Sequence, residues 1–162
     1  MNLIGQIINA MIAYYAGDVR RINHFLKVYG FAKAIGEMEG LDESTQEIIE
    51  IAALTHDIGI KNSEKKYNSS AGNYQQIEGP PEAKKLLAEL GIESGVIDRV
   101  CWLIAHHHTY TDIQGIDYQI LVEADFLVNF YEDDMSNDSV HSAGGKMFKT
   151  LSGKAILNAI YS

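Results

Sequence analysis

Apolar residues recur along this chain at three- and four-residue steps, the spacing of helical faces, and nowhere in the sustained alternation of a half-buried strand. The first stripe is Leu3, Ile4, Ile7, Ile8, Met11, Ile12 and Tyr15, with Asn2, Gln6, Asn9 and Ala13 left for other faces. Gly17-Asp18 breaks it, and Asp18 is placed to cap a second helix over about 19–38. That helix carries His24, Val28, Phe31 and Ile35 on its buried stripe. Gly40 closes it. Asp42 or Ser44 opens the next, Glu47 completing a capping box with Ser44. Ile48, Ile49, Ala52, Ala53 and His56 then share one face, and Gly59 supplies a stop by taking a left-handed conformation.

Residues 61–80 read as one long polar connection, rich in Asn, Ser and Gly and ending in Gly79-Pro80-Pro81. Pro81 suits the first turn of a helix reaching Leu90 before Gly91. Ile97, Val100, Cys101 and Ile104 mark a helix over about 94–108, ending in His106-His107-His108. A linker over 109–115 leads to a strongly apolar helix over 118–131, with Asp125 inside it. From Glu132 the chain turns acidic and polar, then recovers apolar character at Met147, Phe148, Leu151, Ile156, Leu157 and Ile160, which predicts a loop and one or two short closing helices. The expected architecture is an all-α, single-domain helical bundle over 1–162, with residues 132–162 an extension packing on a core of about 18–131.

Composition narrows the function. The 162 residues are 46% hydrophobic and 22% charged, with 22 acidic against 13 basic residues and a formal charge of −9. No basic face is available for polymeric nucleic acid or an anionic membrane. A small phosphorylated substrate is not excluded, because a metal or a few cations can bind it locally. The single cysteine, Cys101, lies between Val100 and Trp102 and reads as a packed core thiol of a cytoplasmic protein. The apolar start carries no Lys or Arg before Arg20, so it reads as an amphipathic helix, packed internally or against a second copy in a homodimer, and not as an export signal. No apolar run reaches a membrane span.

The chemistry sits on ionisable residues that fall on apolar helical faces: His24, His56, Asp57 and Asp125. A lone buried histidine is commonly a satisfied core residue, and a lone aspartate a cap. Two imidazoles and two carboxylates from three predicted helices are what a metal centre in a bundle core requires. This nitrogen–oxygen set, without thiolates, suits a divalent manganese, iron, cobalt, nickel or zinc ion, with positions left for water and substrate. Arg20, one turn before His24, and Lys61, just after the His-Asp pair, are candidate cations for a phosphoryl group. Arg21, Lys65 and Lys66 are weaker candidates.

The ordered set His24, then Leu54-Thr55-His56-Asp57-Ile58-Gly59, then His106-His107, then Glu123-Ala124-Asp125-Phe126, resembles the HD-domain superfamily of metal-dependent phosphohydrolases over about residues 18–131. The resemblance implies an all-α fold in which His24, His56, Asp57 and Asp125 hold a divalent ion. That ion activates water against the phosphorus of a nucleotide-like substrate; Asp57, His106 and His107 are expected to contribute to catalysis, with Arg20 and Lys61 as the candidate cations from their placement. By the same analogy His106 and His107 face the site, and His108 is exposed or capping. Departures from the family pattern are Ile60 where many relatives have Lys, no His over 74–80, and Thr109-Tyr110-Thr111-Asp112 where cyclic-dinucleotide hydrolases carry Gly-Tyr-Pro. They favour a single ion and disfavour cyclic dinucleotides. The alternatives are a non-catalytic metal and nucleotide sensor and, on the same scaffold, an iron-dependent oxygenase.

Overall fold

The computed structural model describes residues 2–162. Among these residues the structure is helical without strands: α1 (Leu3–Tyr14), α2 (Val19–Met38), α3 (Glu43–Thr55), α4 (Ile60–Tyr67), α5 (Gly72–Glu89), α6 (Ser94–His106), α7 (Ile116–Glu132), α8 (Asn137–Met147) and α9 (Leu151–Ile160). None of these helices is long and apolar enough to cross a membrane.

The expected caps form. Asp18 Oδ1 accepts from Arg21 N at 3.1 Å, and Asp42 Oδ1 accepts from Thr45 N at 2.8 Å. Each satisfies a donor that the first helical turn leaves unpaired. The core is built on α3 and α7. Residues 49–56 of α3 and its end are buried on every side, as are residues 117–125 of α7, so neither helix shows a clean amphipathic stripe. Helix α2 packs on both, α6 packs on α3 and α5, and α1 packs on α3. The first stripe therefore packs within the chain: Ile7, Met11 and Tyr15 join the core.

Two expectations fail here. The long connection over 61–80 is almost entirely helical: α4 and α5 leave only residues 68–71 between them, and Pro80 and Pro81 lie inside α5 instead of opening it. Asn68 takes a left-handed conformation (φ 52°), ends α4 and makes the corner. Helix α5 persists through its prolines because Gln75, Glu78, Gly79, Ala83 and Leu87 form a buried face against neighbouring helices. Packing outweighs the donors the prolines lack, and their φ is already helical. Gly59 is the second correction. It is right-handed (φ −74°), and α3 has already ended at Thr55. A glycine is needed there for space: a Cβ would stand 2.6 Å from Gly79 N and 2.7 Å from Gln75 O.

The tail docks through a buried carboxylate. Glu123 on α7 accepts from Gln119 Nε2 at 2.6 Å, Thr150 Oγ1 at 2.6 Å, Lys149 N at 3.0 Å and Thr150 N at 3.1 Å. These bonds fasten the start of α9 to the helix that carries Asp125.

Candidate metal centre

Three elements deliver the cluster. His24 comes from the first half of α2, His56 and Asp57 from the turn after α3, and Asp125 from the middle of α7. The crossing of α2, α3 and α7 brings their polar atoms together. His24 Nε2 lies 3.1 Å from Asp57 Oδ2, 3.2 Å from Asp125 Oδ1 and 3.3 Å from His56 Nε2. His56 Nε2 lies 3.4 Å from both carboxylates. His107, at the end of α6, closes the far side, with Nε2 3.6 Å from Asp57 Oδ1.

The outward nitrogens of these rings are all occupied. His56 Nδ1 donates to Ala53 O and His107 Nδ1 to Ile104 O, each at 2.7 Å. His24 Nδ1 lies 3.1 Å from both oxygens of Glu132. Carbonyl and carboxylate oxygens only accept, so each Nδ1 carries a proton and each Nε2 points inward. Three imidazole Nε2 atoms and two carboxylates thus converge in one space. Asp125 Oδ1 and His107 Nε2 are buried without a hydrogen-bond partner, although ionisable neighbours stand within ion-pair distance. Orphaned buried acceptors are costly, and a cation bound among them removes that cost. The residues fit a divalent ion on this ground, with His24, His56, Asp57 and Asp125 as the inner set.

Without such an ion, His24 carries the balancing charge. Burial opposes its protonation, but the hydrogen bonds and charges of Asp125 and Asp57 prevail and push its pKa up to about 11. Burial likewise raises the Asp125 and Asp57 carboxyls, yet the cationic histidines hold both below the ordinary carboxylate range.

A cavity of about 190 Å³ opens onto the cluster, lined in part by Arg20, Arg21, Gln75, His108, Asn129 and Glu132. Arg20 lines it from α2 and has no ion-pair partner among the described residues, whereas Arg21 is engaged by Glu64 at 3.0 Å. Lys61 does not reach this cavity. It points to the outside of α4, donates to Tyr14 O at 3.0 Å and lies over the Tyr14 ring, and Ile60 faces the cavity instead.

Two of the three consecutive histidines also differ from expectation, while His107 faces the cluster as expected. His106 turns away: its ring stacks on Trp102 at 4.0 Å and its Nδ1 donates to Trp102 O. His108, expected outside, lines the cavity, bonded to Gln75 Oε1 at 2.8 Å and Tyr110 OH at 3.1 Å. Helix α6 ends at His106, so the regular 100° step no longer applies beyond it. Burial and the neighbouring His107 lower the pKa of His108 to about 4, which keeps it neutral. Asp57, His107 and His108 form a further group whose ligand atoms lie within 4.8 Å of one another.

Sequence reasoning passed over Glu132, Asn129 and Gln75. The first two had a signal. They follow Asp125 by seven and four residues, which places them on its helical face. Gln75 had none, because its helix was hidden.

Among curated proteins, no sequence matches this chain. Among solved structures, it is similar to a crystal structure described as a predicted HD superfamily hydrolase from an uncultured Thermotogales bacterium. The two share 21% identity at a TM-score of 0.68, over 96% of this chain and 83% of that one. This likeness shows the fold. A family model described as HD domain matches residues 21–140, which include His24, His56, Asp57 and Asp125; the chain belongs to the HD-domain family.

Proposed function

We propose that this protein is a metal-dependent phosphohydrolase acting on a small nucleotide or another phosphate ester. Membership of the HD-domain family supports a metal-dependent hydrolase. The observation that carries the reading is the convergence of two Nε2 atoms and two carboxylates at 3.1–3.4 Å, beside a cavity lined by an arginine without an ion-pair partner among the described residues. A divalent ion bound there lowers the pKa of water and polarises a phosphoryl oxygen. The chain's own residues do the rest. His24, His56, Asp57 and Asp125 hold the ion. Arg20 neutralises charge on the phosphoryl oxygens, and His107 offers its Nε2 beside Asp57. The modest cavity suits a small substrate better than a polymer.

Asp57, His107 and His108 support a second ion beside the first, sharing Asp57. Two ions are also what an iron-dependent oxygenase would need, so that reading stays in the test. The experiment is phosphate release from a nucleotide and phosphate-ester panel. Protein is stripped with chelator and reloaded with manganese, cobalt, nickel, zinc or iron, the last in air and without it. Turnover that needs the metal, disappears in Asp57→Ala and shows a KM raised about tenfold or more in Arg20→Ala supports the hydrolase. Metal binding without turnover moves the reading to a sensor. Activity that needs both iron and oxygen moves it to an oxygenase.

A further inference from the structure

His24 is held differently from the other histidines of the cluster. His56 and His107 each give their outer N–H to a carbonyl of the preceding helical turn, a neutral acceptor supplied by their own element. The outer nitrogen of His24 meets a carboxylate from another helix. Both oxygens of Glu132 stand 3.1 Å from His24 Nδ1, and that side chain is 12% exposed. Glu132 follows Asp125 by seven residues, two turns along α7, so one face of one helix presents both residues to opposite sides of the His24 ring. Lys27, one turn after His24 on α2, closes the arrangement with Nζ 3.0 Å from Glu132 Oε1.

We propose that Glu132 is a positioning residue for His24. Its carboxylate holds the proton on Nδ1, keeps Nε2 turned into the cluster and pins α2 to α7 at the point where both contribute to the centre. The need is local. His24 lies mid-helix, and no carbonyl of its own helix receives Nδ1 as Ala53 O and Ile104 O receive those of His56 and His107. Without Glu132 the ring is free to turn about χ2, which carries Nε2 out of the set. A fixed acceptor on the outer nitrogen also sets the orientation in which imidazole is a ligand. The Lys27 pair serves Glu132 itself: the ammonium is 41% exposed, so it steadies the carboxylate more than it stabilises the fold. This inference rests on the metal-centre reading.

The test is cobalt binding, read from the visible absorption of the bound ion and from competition with a chelator. It uses the wild-type chain with Glu132→Gln, Glu132→Ala and Glu132→Asp. Glutamine keeps an oxygen acceptor at the same reach, so Glu132→Gln should hold cobalt within about tenfold of wild type with an unchanged spectrum. Glu132→Ala should weaken binding by about ten- to a hundredfold and alter the absorption band. Glu132→Asp keeps the charge but falls one methylene short, and should resemble the alanine variant. Wild-type affinity and spectrum in Glu132→Ala would overturn the proposal. So would a tight Glu132→Asp beside a weak Glu132→Gln, which would make charge the requirement and not position; that comparison stands even if Glu132→Ala does not fold. Failure of the wild-type chain to bind cobalt at all would instead remove the metal centre, a distinct result.

Discussion

Metal binding at this site must displace a proton. In the metal-free protein the charge that balances Asp57 and Asp125 is the His24 imidazolium, whose pKa stands at about 11 against an ordinary 6.5. At pH 8 only about one site in a thousand then has an unprotonated His24 Nε2. An ion that takes His24 as a ligand releases that proton, so the apparent association constant should rise about tenfold per pH unit between pH 6.5 and 8. The sign for folding is the opposite. A raised folded-state pKa contributes stability that is complete below about 6.5 and is lost as pH rises toward about 11. The metal-free protein should therefore lose on the order of 3 kcal/mol between pH 7 and 9, while the metal-loaded protein should not follow that slope. Titration calorimetry in two buffers of different ionisation enthalpy reads the proton directly, and urea denaturation of chelator-treated protein at pH 7 and 9 reads the stability. A pH-independent affinity with no proton release would refute the reasoning, because it would mean that the empty site already holds a neutral His24.

Other expectations follow from the same packing. Glu123→Ala leaves the N–H groups of Lys149 and Thr150, the Thr150 hydroxyl and the Gln119 amide without their acceptor; it should cost about 3–5 kcal/mol in chemical denaturation and expose the tail to limited proteolysis first. Gly59→Ala drives a methyl group into backbone atoms of α5 that have no side-chain freedom to yield, and should lower stability by about 3 kcal/mol as read by thermal melting. His107→Ala should reduce metal-dependent turnover at least about tenfold, because its Nε2 faces Asp57. His106→Ala, whose ring stacks outward on Trp102, should stay within about threefold of wild type in the same assay.

The cluster was legible in the chain because its members break a rule locally. Charged or titratable groups on apolar faces are visible from periodicity alone, and His24, His56 and Asp125 each interrupt such a face. The helices before Gly40 and after Gly91 were legible for a similar reason, since both glycines take positive φ and stop the pattern. Helices α4 and α5 were hidden because their own signal is weak. Helix α4 is largely polar, and α5 carries two prolines where a helix seldom tolerates them. Their stability comes from partners distant in sequence. The close approach of Gly59 to Gly79 and the bond of Cys101 Sγ to Pro80 O are two such contacts.

The sequence by itself determined that the chain is helical, where most helices start and stop, and which residues could not lie buried without a partner. Periodicity, capping and burial cost are properties of short windows, and they are written there. Tertiary structure alone decided which of the three adjacent histidines turn inward, that Lys61 bonds to α1 and never reaches the cavity, and that Glu132 meets His24 across 108 residues. Those outcomes depend on where a helix ends to within one residue and on which helices cross. A shift of one residue turns a side chain by about 100°, so a boundary that local propensity leaves open decides whether a group faces the cavity or solvent.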